Sequence, residues 1–187
     1  AAQRLNRQVT DALLAAGVPA LSLQPSASAR CSDGELIALD TFPLIRALSE
    51  GLVPVLYGDV ALDDVRGGTI VSTEELFDYL TLNLDPARVL LAGEVAGVYS
   101  AWSGDRPAGE LLTAITPATL PALEAALQGS AGVDVTGGMA SKVAGMVHTA
   151  EEHPGLVIRI FSAAEPGVLE RVLADPAYEA GTRITGS

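Results

Sequence analysis

Of cysteine and of lysine, this chain of 187 residues has one each, Cys31 and Lys142. The lone cysteine excludes an internal disulfide and a cysteine cluster for metal, and makes a reduced, cytoplasmic setting the default. Beside Ser32, Asp33 and Gly34 it reads as part of a turn. Basic charge is scarce too: 11 Lys and Arg stand against 23 Asp and Glu, a net charge of −12. Such a surface repels a nucleic-acid backbone or an anionic membrane. Long hydrophobic runs are also missing. The longest, Ala12 to Leu21, is about half of a membrane span and contains Gly17 and Pro19, so no transmembrane helix is expected. An initiating methionine, a signal pattern and an opening strand are absent as well. The first residues read as the middle of a helix, with Leu5, Val9, Leu13 and Ala16 on one face, as if the chain were missing its beginning.

What remains is an apolar, foldable chain. Hydrophobic residues make up 49% of it, enough for a real core and most simply a single domain spanning 1–187. After the first helix, Gly17 suits a C-cap and Val18 to Leu23 reads as a short buried strand. Pro25 to Gly34 reads as loop, Thr41 to Glu50 as a helix with Phe42, Ile45 and Leu48 on its apolar face, and Val53 to Tyr57 as a strand. Val60 to Leu62 and Thr69 to Val71 form a hairpin pattern around a polar turn. Ser72 or Thr73 caps a helix carrying Glu74 and Glu75 in its first turn. Arg88 to Ala92 is another strand, with Gly93 to Gly97 as its exit. Trp102 to Gly109 reads as a surface loop. Helices follow from Thr116 to about Leu127 and from Pro166 to Leu173, with strands at Leu156 to Phe161 and Thr182 to Ile184. This alternation predicts an α/β fold with a mostly parallel central sheet, and ligands in such sheets sit at the strands' carboxyl ends. Gly58, Asp59, Gly93, Glu94 and Ser162 all follow apolar strands.

The stretch from Asp134 to Lys142 carries the chemistry. A turn at Gly137 and Gly138 entering a helix presents unpaired backbone N–H groups, with the ammonium of Lys142 nearby, and this suits a phosphate. Met139, Val143, Met146, Val147 and Ala150 recur at helical spacing, which turns Lys142 away from the core. A Gly-Gly pair can equally be packing punctuation.

Four runs in this order, Pro54 to Val60, Ile70 to Glu75, Leu91 to Tyr99 and Asp134 to Met139, together with Arg159 to Ser162, resemble isopentenyl phosphate kinase of the amino acid kinase superfamily over essentially the whole chain. The resemblance implies a three-layer α/β/α sandwich, with ATP and Mg²⁺ on a nucleotide-binding half and isopentenyl phosphate on an acceptor half. Residues 1–60 correspond to the remainder of the acceptor half, and 61–187 mainly to the nucleotide half. Carried over by position, Gly137, Gly138 and Lys142 meet ATP, and Lys142 offsets charge on the transferring phosphoryl group. Glu94 takes a nucleotide-side acidic position, and no residue is assigned to a metal. Thr73 falls where a backbone group meets the acceptor phosphate, Glu74 matches an acidic organiser of the catalytic lysines, and Asp59 joins that network. The family's homodimer is implied as well, although no residue pattern here indicates one.

The chain departs from the family in three places. Thr73-Glu74-Glu75 stands for Gly-Asp-Asp, which moves the organising carboxylate outward by about one bond of ~1.5 Å. Ala96 stands for an aspartate. The opening Lys-Leu-Gly-Gly-Ser and the Gly-rich segment with its phosphate-binding histidine are absent, so the chain is expected to be an N-terminally incomplete, weakly active or inactive piece of the enzyme. His148 and His153 read as exposed helix-end residues and do not replace that histidine. A kinase of another small phosphate or phosphonate such as fosfomycin, or an inactive nucleotide-binding module, are the alternatives.

Overall fold

A computed structural model describes the backbone of residues 1–103, 106–128 and 135–187, and the side chains of all but 102–105 and 126–141. The chain divides into two compact units, Ala1–Asp85 and Pro86–Ser187.

The first unit opens with helix α1 (Ala2–Ala15), whose chain reverses at Gly17, in the left-handed region at φ +82°. Strands β1 (Ala20–Ser22) and β4 (Val53–Val55) form a parallel pair. Contrary to expectation, α1 turns a polar face inward: Asn6 and Thr10 are buried while Leu5 is 61% exposed. The reason is local. The Asn6 amide donates to the Val55 carbonyl at 3.2 Å and accepts from the Ser22 hydroxyl, linking the helix to both strands. Helix α2 (Phe42–Ser49) likewise buries Leu44 and Ala47 and leaves Phe42, Ile45 and Leu48 outside.

The segment expected as loop from Pro25 to Gly34 is more ordered. It holds a 3-10 turn at Pro25–Ala27 and strand β2 (Arg30–Ser32), which pairs antiparallel with β3 (Glu35–Ala38) and parallel with β5 (Asp59–Asp63). The expected hairpin is present as β5 and β6 (Gly67–Val71), giving the order β3-β2-β5-β6. Cys31 therefore lies in a strand, fully buried, rather than in a turn. Burial, and then the nearby Asp63 and Glu75, push its thiol up, which makes it a poor nucleophile. Helix α3 (Thr73–Leu84) covers this sheet with Leu76.

The second unit is built on the order β10-β12-β11-β7, from β7 (Arg88–Gly93), β10 (Ala114–Ile115), β11 (Val157–Ser162) and β12 (Thr182–Ile184). β11 pairs parallel with β7 and antiparallel with β12, and β10 runs parallel to β12. Helices α4 (Leu120–Gln128) and α5 (Val135–Glu152) contribute Leu123, Val143, Val147 and Ala150 to a core with Ile115, Ile158, Ile160 and Ile184. Each of these valine, leucine and isoleucine side chains contributes about 1.5–3 kcal/mol when fully buried. On the other sheet face, Val168 and Val172 of α6 (Val168–Ala174) pack on Phe161.

Three expected boundaries shift for identifiable reasons. Gly167, left-handed at φ +79°, delays α6 to Val168. Thr116 and Thr119 bond each other in a separate turn, so α4 starts at Leu120. The expected loop around Trp102 to Gly109 is a hairpin of β8 (Tyr99–Ser103) and β9 (Arg106–Leu111); each strand is an edge, which tolerates the missing donor of Pro107.

Candidate active site

In the first unit, the exit of β4 meets the start of α3. An added Cβ on Gly58 would lie 3.2 Å from the Val71 carbonyl and 3.4 Å from both the Thr73 nitrogen and its hydroxyl. A side chain there would press on the Val71 carbonyl, so the two segments approach closely across this glycine. The α3 terminus is fixed by a capping box: the Ser72 hydroxyl accepts the Glu75 N–H at 3.1 Å, and the Glu75 carboxylate accepts the Ser72 N–H at 2.7 Å. So Ser72, not Thr73, is the cap. Glu75 is committed to this cap, which leaves exposed Thr73 and half-buried Glu74 as the helix start that faces outward. With its N–H groups and the positive end of its dipole, this is a place for an anion.

Asp59 stands beside it and is engaged by its own side of the fold. Its carboxylate accepts the Ser26 N–H at 3.2 Å and the Val60 N–H at 2.9 Å. Burial alone would raise its pKa, but the bonds from Ser26, Val60 and Gln24 together hold it below the ordinary carboxylate range. Burial and then Asp59, by charge and by hydrogen bond, push the Tyr57 hydroxyl up. Asp63 was missed by sequence reasoning. It is 5% exposed and accepts four backbone N–H groups, from Asp33 at 3.2 Å, Gly34 at 2.7 Å, Val65 at 2.8 Å and Arg66 at 2.7 Å. Its spacing from Asp33 in sequence carries no signal, because the β2–β5 pairing creates the contact.

In the second unit, β7 and β11 end side by side, with Gly93 opposite Ser162. Glu94 follows as an exposed side chain in the exit of β7. Buried Ser162 joins the two exits: its hydroxyl donates to the Glu94 carbonyl at 3.1 Å and accepts the Ala164 N–H at 3.1 Å. Gly181, left-handed at φ +63°, packs so closely on the Ile160 and Ala96 carbonyls that a Cβ would overlap both.

Lys142 lies on α5, which shares its core with β11. Four residues separate α5 from β11, Gly186 packs on Ala150 and Glu151 at the C-terminal end of α5, and Ile184 pairs with Ile158 near the entry of β11. The helix thus ends at the entry of β11 and starts toward its exit. Lys142, one residue before buried Val143, is exposed near the middle of α5. Helix α5 begins at Val135, so Gly137 and Gly138 are its third and fourth residues and not a turn ahead of it. Gly137 remains among the N–H groups that a helix start leaves without internal partners, whereas the fourth residue, Gly138, is where a helix begins to bond internally. Of the expected loop from Gly129 to Val135, residues 129–134 lie outside the described residues and Val135 already belongs to α5. His148 is exposed and pairs with Glu152 at 3.5 Å, whereas His153, expected outside, is half-buried with Nε2 enclosed and unbonded.

Two comparisons place the chain in a family. Residues 1–162 match the amino acid kinase family. The isopentenyl phosphate kinase of Methanothermobacter thermautotrophicus is 41% identical over 98% of this chain and 68% of its own length. The chain belongs to the amino acid kinase family, among its isopentenyl phosphate kinases. A second such enzyme, from Haloferax volcanii, is 44% identical over 76% of this chain and 54% of its own. A solved isopentenyl phosphate kinase structure superposes with a TM-score of 0.76 at 35% identity, covering 98% of this chain and 66% of that one. This chain therefore spans from about half to two thirds of the length of these relatives. The α/β class read from the alternation of elements is that of the amino acid kinase fold, here with parallel and antiparallel pairings mixed in each unit. Among the described residues no helix is long and apolar enough to cross a membrane.

Proposed function

We propose that the protein transfers the γ-phosphoryl group of ATP to isopentenyl phosphate, giving isopentenyl diphosphate. The observation that carries this reading is the 41% identity to an isopentenyl phosphate kinase over 98% of the chain. The residues suit a nucleotide: a long helix starts toward two adjoining strand exits and carries the chain's one lysine, exposed, near its middle. The starting N–H groups of α5, including that of Gly137, would hold phosphate oxygens, Gly138 would let them approach closely, and Lys142 would offset the charge that spreads over the transferring group. Glu94 lies on the nucleotide side. Among the described residues no three His, Cys, Asp or Glu side chains converge as a metal site. Mg²⁺ would be held mainly by the nucleotide's own phosphates.

On the acceptor side, the Thr73 N–H at the start of α3 would grip the acceptor phosphate, with Asp59 shaping the adjacent turn and Glu74 keeping the organising role of the family's acid. No general base is required, because the attacking oxygen belongs to a phosphate that is already ionised. Residues 1–60 with this helix start would serve the acceptor, and the later chain mainly the nucleotide. The test is calorimetric titration with Mg²⁺ and ATP, followed by phosphorus NMR of mixtures with isopentenyl phosphate or fosfomycin. Saturable ATP binding and a diphosphate product from isopentenyl phosphate are expected. Phosphorylation of fosfomycin alone would move the protein to a different acceptor, and absence of ATP binding would defeat the reading.

A further inference from the structure

The side chain of Ser162 bonds across both strand exits, of β7 and of β11. It is 7% exposed, and its hydroxyl bonds in both directions: the proton goes to the Glu94 carbonyl and a lone pair takes the Ala164 N–H. The sheet does not depend on it. The Ala163 N–H reaches the Gly93 carbonyl at 2.9 Å, and the β7–β11 ladder runs unbroken from Val157 to Ser162. What the hydroxyl adds is a fixed backbone at Glu94, one residue beyond the end of β7, and a fixed first turn after β11. From this geometry we infer that Ser162 is a positioning residue for nucleotide binding, acting through the backbone of Glu94 and through Ala164. The inference rests on the nucleotide reading above.

Its test separates positioning from general stability. Ser162→Ala removes both bonds and leaves the ladder, so ATP affinity falls on the order of tenfold, as two modest hydrogen bonds convert. Ser162→Thr retains the hydroxyl and restores affinity, and Ser162→Cys, with a weaker donor, falls between. Hydrogen exchange at the amides of Val95 and Ala164 speeds up in the alanine variant, while exchange at the ladder amides of Leu91 and Ile160 stays as in the wild type. A loss confined to the nucleotide gives a raised KM for ATP with an unchanged KM for isopentenyl phosphate. Wild-type affinity in Ser162→Ala, or exchange that rises equally at Leu91 and Ile160, overturns the inference. If the wild-type chain itself fails to bind ATP, the nucleotide reading falls and takes this role with it; binding by the wild type that Ser162→Ala equals removes the Ser162 role alone.

Discussion

Thr182→Val should lower stability by about 2–4 kcal/mol, since it keeps the side chain's shape and deletes one hydroxyl from a closed site. Thr182 is fully buried; its Oγ1 accepts the Val98 N–H at 2.8 Å and donates to the Leu112 carbonyl at 2.6 Å. Valine satisfies neither. Val98 is fully buried as well, so its N–H loses an acceptor that water cannot replace, a cost of ~1–3 kcal/mol, and the lost bond to Leu112 adds ~0.5–1.5. For a chain of this length each kcal/mol lowers Tm by about 2–4 °C. Calorimetry should therefore record a fall of roughly 4–16 °C. Thr182→Ser is the control, because it keeps both bonds and gives up only a methyl group, about 1 kcal/mol. Gly97 supplies a second view of the site, since a Cβ there would lie 2.5 Å from the Thr182 hydroxyl. A valine variant melting within about 1 °C of wild type, or a serine variant as unstable as valine, would refute the assigned role of the hydroxyl.

Other outcomes follow from the same coordinates. Lys142→Ala should weaken ATP binding by roughly tenfold to a hundredfold, the value of a charged hydrogen bond, in a calorimetric titration, with Tm unchanged because the side chain is exposed. Ser72→Ala should cost about 1 kcal/mol in urea unfolding by loss of the α3 cap, and should weaken isopentenyl phosphate binding while sparing ATP. Asp63 gives a pH signature. Its carboxylate is held below the ordinary value of 3.8, first by the Arg66 N–H and then, against burial, by those of Gly34, Val65 and Asp33. The folded state thus takes up this proton less readily than the unfolded chain. The resulting stabilisation is complete above the unfolded value and is lost as pH falls from 3.8 through the folded one. Urea midpoints of Asp63→Asn should accordingly be lower than wild type at pH 6 and converge on it toward pH 3.

The elements that could be read from sequence were those with local signals. The β5–β6 hairpin, α3 and β7 each combine apolar periodicity with glycine or capping residues at their ends, and the strand exits at Gly58, Gly93 and Ser162 followed from them. What escaped depended on partners far along the chain. β2 is three residues long and polar at both ends, so only its pairing with β3 and β5 makes it a strand and buries Cys31. The apolar stripe of α1 suggested a buried face, yet the Asn6 bonds to β1 and β4 decide its orientation. In the candidate site, Thr73, Glu74 and Lys142 could be named from position, whereas Ser162's bridging hydroxyl requires β7 and β11 to lie side by side.

Asp63 also constrains how this fold can change. One carboxylate closes the turn at Asp33 and Gly34 and the turn at Val65 and Arg66, and the Arg66 guanidinium then lies over Gly34 and bonds Asp33 at 2.9 Å. The two loops are about thirty residues apart in sequence yet share a single anchor. An insertion that lengthens either one withdraws donors from the other, so these surface loops, unlike ordinary ones, are poor places for grafts, tags or chain breaks.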